Sequence, residues 1–111
     1  MKIGSEWTSE WTLVGTCGVD SGQLLLTDPC YLPEFKQDEF QKDEPSSDYS
    51  YNGCCHATSG TVPAGPVGIG YSGVATATGY GDGTYPVYAK LDGGRVRAVM
   101  AVFESTEEGE C

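Results

Sequence analysis

The chain has 111 residues, of which 16 are acidic and 6 are lysine or arginine, giving a formal net charge of −10 at pH 7. This charge argues against direct nucleic-acid binding, which needs cations to neutralise phosphates, and against an anionic membrane surface. The length fits one domain, and 16 glycines with 6 prolines favour short strands and tight turns over a helical bundle. We therefore expect a single, mainly β domain of residues 1–111, whose acidity serves solubility or a basic partner.

The cysteines predict the compartment. Five occur, at positions 17, 30, 54, 55 and 111, and the odd count with an adjacent pair argues against an ordinary disulfide framework. The N-terminus lacks the apolar segment of a secretory signal, and no apolar run approaches the about 20 residues of a membrane span. We therefore expect a cytoplasmic protein with free thiols and no membrane association.

The first part of the chain predicts two strands and a polar strand end. Trp11 to Val19 and Gln23 to Thr27 are strand-like, and the turn residues Asp20-Ser21-Gly22 between them indicate a hairpin. The second strand should end before Pro29, because proline has no backbone N–H to donate. The site candidates at this strand end are Asp28, Cys30 and Tyr31. A plain turn out of the sheet is the alternative for the same residues.

Residues 33–60 are expected to form an acidic insertion that carries one short helix. Its first half holds six acidic residues between Glu34 and Asp48, and we expect that half to be mobile. Ser47 or Asp48 would cap a helix running from about Tyr49 to Thr58, with Gly60 ending it. An acidic tail is expected over residues 104–111.

The remainder of the chain is β in character. Val67 to Thr78 is rich in small residues, Tyr85 to Leu91 alternates, and Arg95 to Phe103 is apolar on both faces in its second half, as in a central strand. Asp92-Gly93-Gly94 predicts a hairpin turn between the last two strands. Pro86 fits an edge strand or the first residues of a strand. The predicted core comprises Leu13, Leu24, Leu26, Val74, Val87, Val96, Ala98, Met100 and Val102.

The stretch Gly79-Tyr80-Gly81-Asp82-Gly83, here called the Gly-Asp-Gly loop, is predicted to be a rigid hairpin loop. Alternate glycines allow positive φ and a close approach of other groups to the backbone. The loop lacks the lysine of a phosphate-binding loop, and no helix start follows it, so nucleotide hydrolysis is disfavoured. We expect it to present Tyr80 and Asp82, with Tyr85 beside them, to a ligand or partner.

Other chemistry receives weaker support from the sequence. Cys54, Cys55 and His56 are consecutive, but adjacent cysteines on a helix point about 100° apart and are poorly placed to share a zinc ion. We predict no metal and no cofactor. Cys30 with the only histidine, His56, could form a thiol–imidazole pair. Convergence of Asp20, Asp28 or Asp82 at strand ends is a third option, with turn capping as its alternative.

Four stretches together resemble a family of unknown function. They are Gly18-Val19-Asp20-Ser21-Gly22, Leu26-Thr27-Asp28-Pro29-Cys30-Tyr31, Gly79-Tyr80-Gly81-Asp82-Gly83-Thr84-Tyr85-Pro86-Val87-Tyr88, and Gly94-Arg95-Val96 leading to Val102-Phe103. This order resembles small uncharacterised proteins of actinobacteria and their phages. It also resembles the C-terminal part of a larger bacterial domain-of-unknown-function family with V-D-[SA]-G and G-[YW]-G-D-G-x-Y-P-x-Y motifs. The resemblance covers about half of the chain and implies a fold but no reaction.

These observations predict a small antiparallel sandwich or partly open barrel of five to six strands, with one short helix in an insertion. The function we expect is a non-enzymatic binding module that intercepts a host protein or a small signalling molecule. Its site would consist of Asp28, Cys30, Tyr31, Tyr80, Asp82 and Tyr85. The alternatives are a small hydrolase using Cys30 with His56, and an acidic mimic that blocks a basic site of a partner. A homodimer is compatible with each of these.

Overall fold

The structure is a computed structural model, and it describes residues 10–68, 70 and 72–104. Six strands are present: β1 (Thr12–Val19), β2 (Gln23–Thr27), β3 (Ala64–Val67), β4 (Gly73–Ala77), β5 (Gly83–Asp92) and β6 (Arg95–Ala101). A 3-10 helix (Pro29–Glu34) and helix α1 (Tyr51–Ala57) lie between β2 and β3. The predicted tail beyond Glu104, with Cys111, lies outside the described residues. Neither described helix is long and apolar enough to cross a membrane.

The strands form two three-stranded antiparallel sheets, with the orders β1-β5-β6 and β2-β4-β3. This confirms the prediction of a mainly β fold with six antiparallel strands and one short α-helix. In the part of the chain that the structure describes, each sheet has two edge strands, so neither sheet closes on itself.

The two sheets belong to two compact units. The terminal unit contains the described residues of Met1–Asp20 and Asp82–Cys111, and its sheet is β1-β5-β6. The central unit is Ser21–Gly81, which contains the sheet β2-β4-β3 and both helices. That residues 1–111 fold as one domain stays a prediction.

In the terminal unit, β5 is the central strand. Its first part pairs with β1, from Val19↔Gly83 onward, and its second part pairs with β6. Gly93 and Gly94 have φ values of 60° and 82°, as the two-residue turn between β5 and β6 requires, so the predicted hairpin is confirmed. The predicted central position of the last strand is wrong. Among the described strands, β6 pairs only with β5 and so lies at an edge, and Val99 is 61% exposed.

Pro86 explains where the pairing of β5 with β6 ends. Its carbonyl accepts a hydrogen bond from the Val102 N–H at 3.1 Å, but proline has no N–H to return. The ladder accordingly has its last register pair one residue further on, at Val87↔Ala101. Pro86 follows the first three residues of β5 and has Thr16 of β1 as its register partner, so the expected edge position is wrong.

Two predicted hairpins do not form. β1 pairs with β5 and β2 pairs with β4, so the turn at Asp20-Ser21-Gly22 joins two different sheets. For the same reason the Gly-Asp-Gly loop is a link between the units and not a hairpin loop. Turn residues permit the chain to change direction, but the strand pairing is decided by long-range contacts. Within the central unit, Thr78, the residue before the Gly-Asp-Gly loop, donates its N–H to the Gly22 carbonyl at 3.1 Å.

The core of the central unit is built around four buried residues. They are Tyr49, Cys54, Val67 and Ala75, and Leu25, Phe35 and Ala57 pack against them. The predicted core members Leu13, Leu26, Val74 and Val96 are exposed, so those predictions are wrong. Leu26 and Val74 are register partners and share one face of the sheet, whereas Leu25 and Ala75 share the opposite face. Leu24-Leu25-Leu26 is apolar throughout. The prediction placed Leu24 and Leu26 in the core, whereas in the structure it is Leu25 that packs against the core.

Helix α1 is shorter than predicted and begins two residues later. Ser50 is its N-cap, and its Oγ accepts a hydrogen bond from the Gly53 N–H at 2.9 Å. A β-carbon built at Gly53 would overlap the Asp48 carbonyl oxygen, so only glycine fits at this position. The cap therefore depends on the side chain of Ser50 and on the close approach of Gly53 to the preceding turn.

The acidic half of the insertion is anchored to this helix by one buried residue, Asn52. Asn52 donates its backbone N–H to Asp38 Oδ1 at 2.8 Å, and its Oδ1 accepts from the Gln41 N–H at 2.7 Å. Its Nδ2 donates to the Glu44 carbonyl at 3.1 Å. These three bonds connect the segment 38–44 to the first turn of α1. That this half of the insertion is mobile stays a prediction.

Candidate functional site

A pocket of about 230 Å³ opens in the central unit at one end of its sheet. β2 ends at Thr27, β4 begins at Gly73 and β3 ends at Val67, and these three residues form one row of the sheet. The chain leaves the sheet here on all three strands, which brings side chains from distant parts of the sequence together. The pocket, here called the β2-end pocket, is lined by Glu34, Lys36, Asp48, Tyr49, Gly68 and Ser72.

Tyr49 fixes one wall of the pocket. The Thr27 hydroxyl donates to the Ser72 carbonyl at 2.7 Å, and its oxygen lies 2.7 Å from the Tyr49 hydroxyl. Because the proton of Thr27 is used by a carbonyl that can only accept, Tyr49 is the donor in the second bond. The Tyr49 ring also packs edge-on against Phe35, with centroids 5.0 Å apart. The wall is thus held by a directed chain of hydrogen bonds and an aromatic contact.

Lys36 is placed in the pocket by backbone pairing. Its N–H donates to the Tyr49 carbonyl at 3.1 Å, and its carbonyl accepts from the Tyr51 N–H at 2.9 Å. The Lys36 ammonium lies 3.8 Å from Asp48 Oδ2, and both side chains are about two-thirds exposed, at 67% and 60%. An exposed ion pair of this kind contributes at most about 1 kcal/mol, so both groups can rearrange around a ligand.

Gly68 forms a tight part of the pocket wall. Its φ is 88°, in the left-handed region, and its N–H donates to the Ser47 carbonyl at 2.7 Å. A β-carbon built at Gly68 would come within 2.6 Å of the Ser72 side chain. Glycine is therefore required both by the backbone conformation and by the close approach of Ser72.

Four of the predicted site residues belong to the central unit. Asp28 caps the 3-10 helix, since its Oδ1 accepts from the Cys30 N–H at 2.9 Å. Cys30 and Tyr31 are exposed and follow the end of β2, the end at which the pocket lies. Tyr80 is 61% exposed in the Gly-Asp-Gly loop. The sequence predicted a site at the end of β2. The structure has a pocket at that end, but the side chains that line it are not the predicted ones.

The other two predicted site residues, Asp82 and Tyr85, belong to the terminal unit. Asp82 is exposed, whereas Tyr85 is buried and packs edge-on against Phe103 with centroids 5.3 Å apart. The three glycines of the Gly-Asp-Gly loop have φ values of 81°, 82° and 150°, so the expected positive φ angles are present. The Thr78 hydroxyl further braces the loop by donating to the Gly81 carbonyl at 2.7 Å.

The thiols and the histidine have separate environments. Burial raises the pKa of the Cys54 thiol to about 11, with smaller contributions from the charges of Cys55 and Asp38. The Tyr51 hydroxyl donates a hydrogen bond to Cys55, which raises the pKa of Tyr51. Gln23 Nε2 also donates to the Cys55 sulfur, at 3.4 Å.

His56 is engaged elsewhere. Its Nε2 donates to the Gln41 carbonyl at 2.8 Å, and its ring packs on Phe40 with centroids 5.3 Å apart. No contact in the described residues joins Cys30 to His56, and a hydrolase built on this pair stays a prediction. Over residues 10–68, 70 and 72–104, no group of three histidine, cysteine, aspartate or glutamate side chains is placed to hold a metal ion.

Two sequence features coincide with the pocket. Lys36 is one of two lysines in a segment with six acidic residues. The small residues after β3 also include Gly68 and Ser72, whose close approach shapes the pocket. Their meeting depends on the register of β2, β3 and β4, which the sequence pattern does not specify.

The chain was compared with known proteins. No family model matches it, and no match was found among curated proteins or among solved structures. The resemblance to the actinobacterial and phage proteins therefore stays a prediction, and the function has to be argued from the geometry of the site.

Proposed function

We propose that this protein is a non-enzymatic binding module whose ligand occupies the β2-end pocket of the central unit. The observation that carries the proposal is the pocket itself, which gathers three charged side chains and a hydroxyl around a buried, hydrogen-bonded Tyr49. A wall fixed before binding lowers the conformational cost of holding a ligand. The volume is below the range of roughly 300–1,000 Å³ that drug-sized ligands occupy, so the ligand is a small molecule.

The chemistry of the pocket favours binding over catalysis. Among the described lining residues, the titratable groups are two carboxylates, the phenol of Tyr49 and one amine, and the amine is already paired with Asp48. Within residues 10–68, 70 and 72–104, the lining of the pocket includes no cysteine or histidine. The same end of β2 is followed by three exposed residues, Asp28, Cys30 and Tyr31. A protein partner could contact these side chains on the central unit.

A cytoplasmic setting is part of the proposal. Cys17, Cys30, Cys54 and Cys55 are free thiols in the described part of the chain, and free thiols persist in a reducing compartment. The wider role proposed from the sequence is interception of a host protein or a small signalling molecule by a bacterial or phage protein. A small-molecule ligand in this pocket is compatible with the second of these roles.

The test is nuclear magnetic resonance of the full, isotope-labelled chain during titration with mixtures of small metabolites. We expect a ligand to shift the amide signals of Lys36, Tyr49 and Ser72, and Ser72→Ala to weaken that binding. Ser21→Ala is the matched control, because Ser21 is an exposed residue of the same unit outside the pocket. Binding that survives Ser72→Ala but is lost in Tyr80→Ala or Asp82→Ala would move the site to the Gly-Asp-Gly loop and contradict the proposal.

A further inference from the structure

The charges around the β2-end pocket are unequal. Glu34 and Asp48 supply two carboxylates, and Lys36 supplies one ammonium group. The Lys36 ammonium lies 3.8 Å from Asp48, so this pair is largely neutral as a unit. Among the described residues Glu34 has no ion-pair partner. The pocket therefore offers one uncompensated negative charge to a ligand.

A neutral polar group stands in the same pocket. The carbonyl of Ser72 accepts a hydrogen bond from the Thr27 hydroxyl, but the Ser72 hydroxyl makes no hydrogen bond with the described residues. A hydroxyl can accept one bond from an ammonium group and donate another. Together with the Glu34 carboxylate, it gives an ammonium ligand two kinds of acceptor.

We propose that the β2-end pocket binds a small organic cation through a primary ammonium group, with Glu34 as its counter-charge and Ser72 as a hydrogen-bond partner. This inference rests on the proposed function. An anionic ligand would meet two carboxylates in the pocket and a chain of net charge −10. A metal ion would find only two carboxylates, whereas calcium takes six to eight oxygen ligands. A compact ammonium compound fits both the charge and the volume.

Lys36 has a defined part in this arrangement. Its ammonium neutralises Asp48 and leaves Glu34 as the single attractive carboxylate. A ligand with one ammonium group and an uncharged or hydroxylated remainder is therefore sufficient, and a second cationic group is not required. Replacing Lys36 by methionine exposes Asp48, and we expect it to strengthen binding of a diamine.

The test is titration of the full chain with putrescine and with adipate, which have six-atom chains of opposite end charges. In low salt we expect putrescine, and not adipate, to shift the amide signals of Glu34, Lys36 and Ser72. Glu34→Gln should weaken putrescine binding about tenfold, as expected for a lost charge-assisted bond. Glu39→Gln is the matched control, because Glu39 is an exposed acid outside the pocket lining.

The outcomes separate the two proposals. Putrescine binding that is insensitive to Glu34→Gln, or shifts spread over all acidic segments, overturns the ammonium inference by showing only counter-ion attraction. Adipate binding in the pocket without putrescine binding overturns the inference and leaves the binding module intact. If neither probe nor any metabolite mixture shifts the pocket amides, both the inference and the proposed function are wrong.

Discussion

The sheets of the two units are stabilised by different kinds of interaction. In the terminal unit the main support is the backbone ladder of the long β5 strand with β1 and β6, together with the Tyr85–Phe103 ring contact. In the central unit side chains connect the segments through hydrogen bonds. The buried polar residues in the described part of the chain, Ser50, Asn52 and Thr78, all belong to the central unit.

This difference indicates where specificity is located. A backbone ladder tolerates many side chains, whereas a buried polar side chain is costly unless its partners stay in place. The central unit therefore fixes the conformation of its connections and can hold a pocket in a defined shape. The terminal unit, with Val96 and Val99 exposed on its edge strand, depends less on particular residues. This contrast between the units leads to four expected effects, which differ in size.

The largest effect is expected from Tyr49→Ala. The substitution removes the ring that packs on Phe35 and the hydroxyl that donates to Thr27. We expect a loss of about 4 kcal/mol in the free energy of unfolding, as for other buried aromatic truncations. Tyr80→Ala is the matched control, and because Tyr80 is 61% exposed we expect a change within about 0.5 kcal/mol.

Urea denaturation measures these losses, and amide hydrogen exchange assigns them to a unit. In Tyr49→Ala the amides of β2, β3 and β4 should lose protection, while those of β5 keep it. An equal loss of protection in β5 would show that the two units unfold together, and the contrast between them would then fail as a description of stability.

The next effect is expected from Asn52→Ala. This side chain holds the acidic segment through Gln41 and Glu44, and its removal deprives the part-buried Gln41 N–H and Glu44 carbonyl of these hydrogen bonds. We expect a loss of about 2–3 kcal/mol and faster tryptic cleavage after Lys42, which lies in the released segment. Gln37→Ala, an exposed amide in the same insertion, is the control and should leave the cleavage rate unchanged. Unchanged cleavage in Asn52→Ala would contradict the anchoring role of this residue.

Local features of this fold were predictable from the sequence. The Gly93-Gly94 turn followed from its residues alone, since a two-residue hairpin turn needs two positive φ angles. A helix near residue 50 also followed from local capping residues, although the cap proved to be Ser50. Each of these depends on neighbours within a few positions along the chain.

Features that depend on distant pairing were not predictable. Asp20-Ser21-Gly22 and the Gly-Asp-Gly loop have the composition of hairpin turns, but their flanking strands pair elsewhere. The buried phase of Leu24-Leu25-Leu26 could not be decided because both faces of that run are apolar. The pocket needs Lys36 and Ser72, 36 positions apart, to meet through strand register. Only its general place, at the end of β2, could be anticipated from the residues around Asp28.

A pH effect of intermediate size is expected from Cys54. Burial raises the pKa of its thiol from 9.0 to about 11, so the folded state favours the neutral thiol. The resulting stabilisation is complete below pH 9, and it is lost as pH rises toward 11, because the unfolded chain releases its proton first. Near pH 11 the free energy of unfolding is lower by about 2 kcal/mol for this reason.

The measurement is the free energy of unfolding in urea at pH 8 and at pH 10.5, with Cys54→Ala as the comparison. The variant should lose less stability over this interval than the parent chain does. A thiol reagent at pH 8 should modify the exposed Cys30 quickly and Cys54 only on unfolding. Equal slopes in the two proteins, or rapid modification of native Cys54, would show that this thiol is not buried in solution.

The smallest effect is expected in the terminal unit, from Phe103→Leu. Leucine keeps most of the apolar contact of this half-buried side chain but removes the edge-to-face pair with Tyr85, at a cost of about 1 kcal/mol. Phe40→Leu is the matched control in the central unit. The Phe40 ring packs on His56 but is 48% exposed, so this substitution should lower the free energy of unfolding by less. Both are measured by urea denaturation. A loss from Phe103→Leu that approached the loss from Tyr49→Ala would show that the terminal unit also depends on particular side chains, and that its backbone ladder is not its main support.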